Sequence, residues 1–235
     1  MNVVDLGRIE YGAALEIQNR HVEDLLVGVG GEVLLLLEHE PVYTIGRTRD
    51  QSSLRGSLPH PAIETNRGGQ ATYHGPGQLV GYPILDLNKR GRDLHRYLRF
   101  LEEFLIRLCA GYGMEASRRD GLTGVWVGEK KIASLGVGVK KWVSMHGFAL
   151  NILEASLPAF SHITPCGIAG VEMTCLEKEA CQPVSPAAVA TRAAELFPAM
   201  LEEFVPDRGR AAGSAESRQH IGSLLDHPVE FVSQA

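Results

Sequence analysis

The run Val33-Leu34-Leu35-Leu36-Leu37, closed by Glu32 and Glu38, is the feature that most restricts what this chain can become. Successive side chains of a strand point to opposite faces, so five aliphatic residues in a row describe a strand buried on both faces. The run is far short of the roughly twenty apolar residues that cross a bilayer. A membrane protein by spanning is therefore excluded, and a layered soluble core is expected.

The surrounding pattern supplies the rest of an α+β fold. Leu15, Val22, Leu25 and Leu26 recur near helical spacing after Tyr11, which predicts a helix over residues 11–27, stopped by Gly28, Gly30 and Gly31. A second extended segment runs from Val42 to Arg47. Residues 51–62, with Gly56, Pro59 and Pro61, read as a surface loop with a mobile tip. Leu79 to Leu87 reads as another buried strand. Asp93 is placed to cap a long helix through Leu94, Tyr97, Leu98, Leu101, Phe104, Leu105 and Leu108 that ends near Gly111 and Gly113. Residues 124–128, 131–139 and 142–152 follow as strands joined by short polar turns, the pattern of antiparallel sheet. A last helix covers residues 186–205, kinked or split at Pro198. Residues 1–206 thus form one main α+β domain, and residues 207–235 a flexible linker with a short tail that has no assigned place.

Composition narrows the function. The chain has 235 residues, 44% of them hydrophobic, enough to bury a conventional core without disulfides or metal. A net charge of -5 argues against nucleic acid as a partner held by global charge. The first residues lack a basic start followed by an apolar core, so no secretory leader is expected and the cytoplasm is the default compartment. The four cysteines, Cys109, Cys166, Cys175 and Cys181, lack zinc-site spacing and are expected to be reduced.

Chemistry concentrates in four segments. Asn66-Arg67-Gly68-Gly69-Gln70-Ala71-Thr72-Tyr73-His74-Gly75-Pro76-Gly77-Gln78 is glycine-rich and carries Arg, Tyr and His. Such a stretch builds either ordinary tight turns or a pocket walled by backbone. It is neither a Walker loop nor a dinucleotide fingerprint. Thr164-Pro165-Cys166-Gly167 sets a cysteine in turn chemistry, where it is either a packed residue or a nucleophile. Cys109 falls in the apolar pattern of the long helix. In Lys130-Lys131-Ile132-Ala133-Ser134-Leu135-Gly136, Lys130 reads as a solvated turn charge, whereas Lys131, if it points inward, would favour the thiolate of a neighbouring cysteine. In Ser144-Met145-His146-Gly147-Phe148-Ala149-Leu150-Asn151, alternation puts His146, Phe148 and Leu150 on one face, with His146 read as a satisfied core histidine.

Arg67 to Gln78 followed by Leu79-Val80-Gly81-Tyr82-Pro83, Lys131 to Val137, Met145 to Asn151, and Pro165-Cys166-Gly167-Ile168 together resemble, in order, the octanoyltransferases of lipoate biosynthesis. The resemblance spans residues 6–204. It implies a single mixed-sheet domain of the biotin/lipoate protein ligase type. It also implies transfer of an octanoyl group from octanoyl-acyl carrier protein to a lysine of lipoyl domains, those of 2-oxo-acid dehydrogenase acyltransferase subunits and of the glycine cleavage H protein, with no cofactor. Cys166 is implied as nucleophile and Lys131 as its partner. Arg67, Gly68, Gly69, Gln70, Ala71, Thr72, Tyr73 and His74, with Ser134, Leu135, Gly136, Gly147, Phe148 and Ala149, match the acyl-binding segments. Oxyanion donors are expected near Cys166-Gly167 or in the glycine-rich loop. Thr164 and Cys175 depart from the family's usual residues, and Cys175 could serve as an oxidation partner of Cys166. The alternatives are an ATP-dependent lipoate or biotin protein ligase, which needs no nucleophilic cysteine, and a noncatalytic binding protein on the same scaffold. Acidic carrier and lipoyl domains would call for a basic rim, for which Arg47, Arg49, Lys140 and Lys141 are the candidates.

Overall fold

The computed structural model describes residues 1–168 and 170–208. In chain order the elements are β1 (Asn2–Ile9), α1 (Tyr11–Leu26), β2 (Val33–His39), β3 (Val42–Ile45), β4 (Ala62–Glu64), β5 (Thr72–His74), β6 (Gln78–Ile84) and α2 (Leu94–Ala110). Then come β7 (Ala116–Arg119), β8 (Leu122–Val127), β9 (Lys130–Lys140), β10 (Val143–Asn151), α3 (Leu176–Glu179) and α4 (Pro186–Phe204). Seven strands form one sheet in the order β1-β2-β6-β10-β9-β8-β7, and three form a smaller sheet in the order β4-β3-β5. Among the described strands, only β1 with β2 and β3 with β4 pair in parallel.

Val33 to Leu37 lie at the centre of this arrangement, each at most 2% exposed. Leu34 and Leu36 join the core beneath α2 and α4, whereas Val33, Leu35 and Leu37 join the core beneath α1. The unbroken aliphatic run is thus explained by helices on both faces. The Asp93 carboxylate accepts from the Arg96 backbone N–H at 2.9 Å, capping α2 as its sequence position predicts. Helix α4 continues through Pro198 instead of splitting there. Its buried face, including Ala193, Leu196, Phe197 and Met200, packs on α2 residues Phe100 and Phe104, and this burial outweighs the roughly 3 kcal/mol that an interior proline costs.

Strand β1 has no counterpart among the predicted elements. It is a largely exposed edge strand, interrupted by a bulge between Asp5 and Arg8, so it carries no apolar run to mark it. The expected surface loop of residues 51–62 also differs. Ser53 is 2% exposed and Leu54 bridges to Ile163, so the start of this segment is part of the interior. The expected linker and tail, apart from Asp207 and Arg208, lie outside the described residues. Among the described residues, no helix is long and apolar enough to cross a membrane.

Candidate active site

Cys166 sits in a short turn, Pro165–Gly167, at φ 54°, and four polar stitches hold that turn. The Cys166 N–H donates to the carbonyl of Ala71 at 3.1 Å, and the Thr164 N–H donates to the carbonyl of Ser53. The Ser53 hydroxyl donates to Gln70 Oε1 at 2.7 Å, and Gln70 Nε2 donates to Asp50 at 3.3 Å. The glycine-rich loop and the residue 50–53 segment therefore locate the cysteine together. Ser53 had no sequence signal, because its role is a long-range one.

Lys131 arrives from β9 and is fully buried. Its Nζ donates to Cys166 Sγ at 3.2 Å and to the Thr123 carbonyl at 2.9 Å. The backbone of Lys131 is fixed as well, with its N–H donating to the Glu172 carbonyl and its carbonyl accepting from Thr174 N–H. Lys130 points outward to Glu172 and Glu179, as a turn charge does. Cys166 Sγ also lies 3.8 Å from Ser134 Oγ.

Below this pair runs a cleft lined by Arg67, Gly69, Gln70, Thr72, His74, Ser134, Leu135, Gly136, Gly147, Phe148, Ala149 and Cys166. Ala71 and Tyr73 do not face it. Alternation along β5 turns Thr72 and His74 to the cleft, while Ala71 and Tyr73 pack with Tyr43, Phe160 and Ile163. Gly68 faces a neighbouring groove near Leu98 and Val137. Three further wall residues, Tyr11, Tyr82 and His146, come from outside the expected set. Tyr11 and Tyr82 read in the sequence as helix and strand core, with nothing to mark them as lining.

Among the described residues the wall carries no carboxylate, and Arg67 is its one guanidinium. His39 bonds Tyr82 Oη at 2.7 Å, and burial lowers its pKa to about 4. His74 bonds Gln78 Oε1 at 2.7 Å and is lowered further by the same cause. His146 departs from the expected alternation. Its φ of 56° breaks the extended backbone, and its ring meets Tyr82 of the α1-side core, while Phe148 and Leu150 stay on the α2 side. Burial lowers the His146 pKa to about 4 too, and its Nδ1 has no partner among the described residues. Arg67, 7% exposed, spends its donors on the Thr44 hydroxyl, the Thr44 carbonyl and the Gly68 carbonyl rather than on a carboxylate.

One expectation is corrected. The N–H groups of Cys166 and Gly167 are already donated to Ala71 and Thr164 carbonyls, which leaves neither for an oxyanion. Of the residues expected in a basic rim, Arg49 pairs with Glu64 and Lys140 with Glu23, both exposed pairs. Cys109 and Cys175 are both buried, and Cys181 is exposed beside Gly113.

A cleft that is partly apolar and is lined by a thiol beside a buried amine suits a catalytic domain that handles acyl groups. Comparison with known proteins makes the class definite. The family described as Lipoyl protein ligase A/B catalytic domain matches residues 10–198. An octanoyltransferase of Geotalea uraniireducens is 50% identical over 211 residues, covering 88% of this chain and 96% of the relative. One of Geobacter sulfurreducens is 50% identical over 215 residues, covering 90% and 89%. Among solved structures, the putative lipoate protein ligase Ta0514 of T. acidophilum with bound lipoic acid aligns with a TM-score of 0.61 at 14% identity, covering 95% of this chain and 93% of that one. The chain belongs to the lipoyl protein ligase A/B catalytic-domain family, among its octanoyltransferases. It is an acyltransferase with the fold of lipoate and biotin protein ligase catalytic domains.

Proposed function

We propose that the enzyme moves an octanoyl group from octanoyl-acyl carrier protein to a specific lysine of lipoyl domains, in the cytoplasm, through a thioester on Cys166. The acceptors are the lipoyl domains of 2-oxo-acid dehydrogenase acyltransferase subunits and the glycine cleavage H protein. The observation that carries this reading is the 3.2 Å contact between Lys131 Nζ and Cys166 Sγ in a site where the lysine is fully buried.

The chemistry runs in two halves. A Cys166 thiolate beside the Lys131 ammonium attacks the carrier thioester, the carbon–sulfur bond to the carrier breaks, and the departing thiolate takes a proton from Lys131. One thioester replaces another, so this half is nearly neutral in energy. In the second half the neutral Lys131 amine accepts a proton from the incoming lysine as that nitrogen attacks the Cys166 thioester. Sγ leaves as a thiolate while Lys131 keeps that proton, which restores the starting pair, and the amide product draws the reaction forward. The N–H groups of Gly69 and Gln70, which line the cleft and have no backbone partner among the described residues, are the proposed oxyanion donors. Burial of an octanoyl tail at about 0.8 kcal/mol per methylene supplies several kcal/mol of binding, with Leu135, Phe148 and Ala149 as apolar wall.

The test is the intact mass of the protein after mixing with octanoyl-acyl carrier protein in the absence of ATP. Wild type is expected to gain one octanoyl group, Cys166→Ser to lose the thioester or hold a stable ester, and Lys131→Ala to acylate far more slowly. No adduct on any form, with transfer appearing only on addition of ATP and free octanoate, would replace this reading with a ligase.

A further inference from the structure

We propose that Trp126 is a positioning residue for Lys131, holding its ammonium against Cys166 through the face of the indole ring. The proposal rests on the reading of Cys166 and Lys131 as the reacting pair.

A buried ammonium needs compensation, and the surroundings of Lys131 are unusual in how they supply it. Among the described residues, no carboxylate lies within ion-pair distance of its Nζ; the salt bridges of the region belong to Lys130 and Arg119. The Nζ instead faces the Thr123 carbonyl at 2.9 Å, the Cys166 sulfur at 3.2 Å and the Trp126 ring at 5.3 Å from its centroid. Trp126 is 1% exposed, so the interaction takes place away from water, where a cation over a ring is worth most.

A register shift creates this contact. Val125 stands opposite Ala133, but Trp126 stands opposite Lys131, one residue out of step. Ile132 and Ala133 consequently both enter the α2-side core, which successive residues of a regular strand would not do. The bulge therefore turns Lys131 to the face that carries Trp126. Gly124 completes the cradle, because a Cβ there would stand 2.9 Å from Lys131 Nζ and collide with its Cε, and its φ of 135° suits glycine.

Arg119 gives the proposal a second handle. Its guanidinium lies 4.6 Å from the same ring centroid, reaching it from β7 on the other side of β8. Two cations share one ring, so each weakens the hold of the ring on the other. Loss of Trp126 should shift the pair from thiolate and ammonium toward thiol and amine, and loss of Arg119 should shift it the opposite way.

The experiment measures thiolate ultraviolet absorbance against pH, taken as the difference from Cys166→Ser, together with the pH dependence of octanoyl adduct formation. Trp126→Leu is expected to lower the ratio of ion pair to neutral pair about tenfold and to move the rise of the acylation rate to higher pH. Trp126→Phe should retain most of the wild-type behaviour, and Arg119→Met should move the rise to lower pH. Unchanged thiolate absorbance in folded Trp126→Leu would overturn the proposal, as would a shift in Arg119→Met of the same sign as in Trp126→Leu. If Trp126→Leu does not fold, Trp126→Met takes its place with the same expected shift, and unchanged thiolate absorbance there overturns the proposal. Absorbance that responds as expected without any octanoyl adduct would reject the transfer reading and leave the cradle standing.

Discussion

The side-chain amide of Gln70 occupies the space in which a Cβ on residue 167 would stand. Gly167 also has φ 69°, so two independent constraints favour glycine immediately after the proposed nucleophile. Gly167→Ala is expected to displace Gln70 and break its bonds to Ser53 and Asp50, costing about 1–3 kcal/mol of stability. Acyl-enzyme formation should slow at least about tenfold, because a small misplacement of a nucleophile carries that penalty. Thermal unfolding and mass-detected acylation of the same preparation check both parts; a wild-type acylation rate would show that the Gln70 stitch does not place Cys166.

Lys131 is a poor residue for stability. It is fully enclosed and its charge meets no carboxylate among the described residues, so an apolar side chain of similar length should be tolerated or preferred there. Lys131→Met is expected to unfold at the same or a higher temperature, with a gain of up to about 3 kcal/mol, while acylation falls roughly a hundredfold or more. A marked drop in thermal midpoint would mean that the lysine holds the fold together and would remove this trade-off.

The buried histidines make stability depend on pH. His39 and His146 have pKa values lowered by burial from 6.5 to about 4, so each stays neutral in the folded chain at pH values where the unfolded chain binds a proton. Unfolding then takes up protons, and stability is lost as pH falls from about 6.5 toward 4. Each group contributes on the order of 3 kcal/mol over that window. Denaturant midpoints measured from pH 7 to pH 4.5 should decline steeply, and His39→Gln should flatten the slope; a flat wild-type profile would refute the assignment.

Thiol chemistry should be selective. Burial pushes the Cys109 thiol up to about 12 and raises that of Cys175, whereas Cys181 is exposed and Cys166 is partly so. Iodoacetamide at neutral pH is expected to label Cys166 and Cys181 and to leave the other two intact until the chain unfolds. In Cys181→Ser, a single label should coincide with complete loss of acylation. Rapid labelling of Cys175 in the folded state would contradict the burial on which this rests.

Much of this architecture could be read from local sequence. The Val33 to Leu37 run required two covered faces, and the Asp93 cap with its helical repeat marked α2, because both signals are carried by neighbouring residues. The turn around Cys166 and the entry of Lys131 into an apolar strand were also visible. What escaped were features created at a distance. The Ser53–Gln70 bond joins segments far apart in sequence, and strand β1 pairs at an edge where no apolar stripe is needed. The bulge at Trp126 and the positive φ of His146 each alter a strand's alternation without changing its composition, so a period-two reading passes over both.

Cys166 and Lys131 approach each other from different parts of the structure, one on a turn tied to the glycine-rich loop and residues 50–53, the other on β9 of the large sheet. In the unfolded chain 35 residues separate the two, and neither the thiol–amine contact nor the contact with the Trp126 ring exists. Reactivity, under the proposed roles, belongs to the assembled fold and not to the Cys166 turn alone. On the proposed reading, the thiol gains its buried amine neighbour only once both parts of the structure are in place.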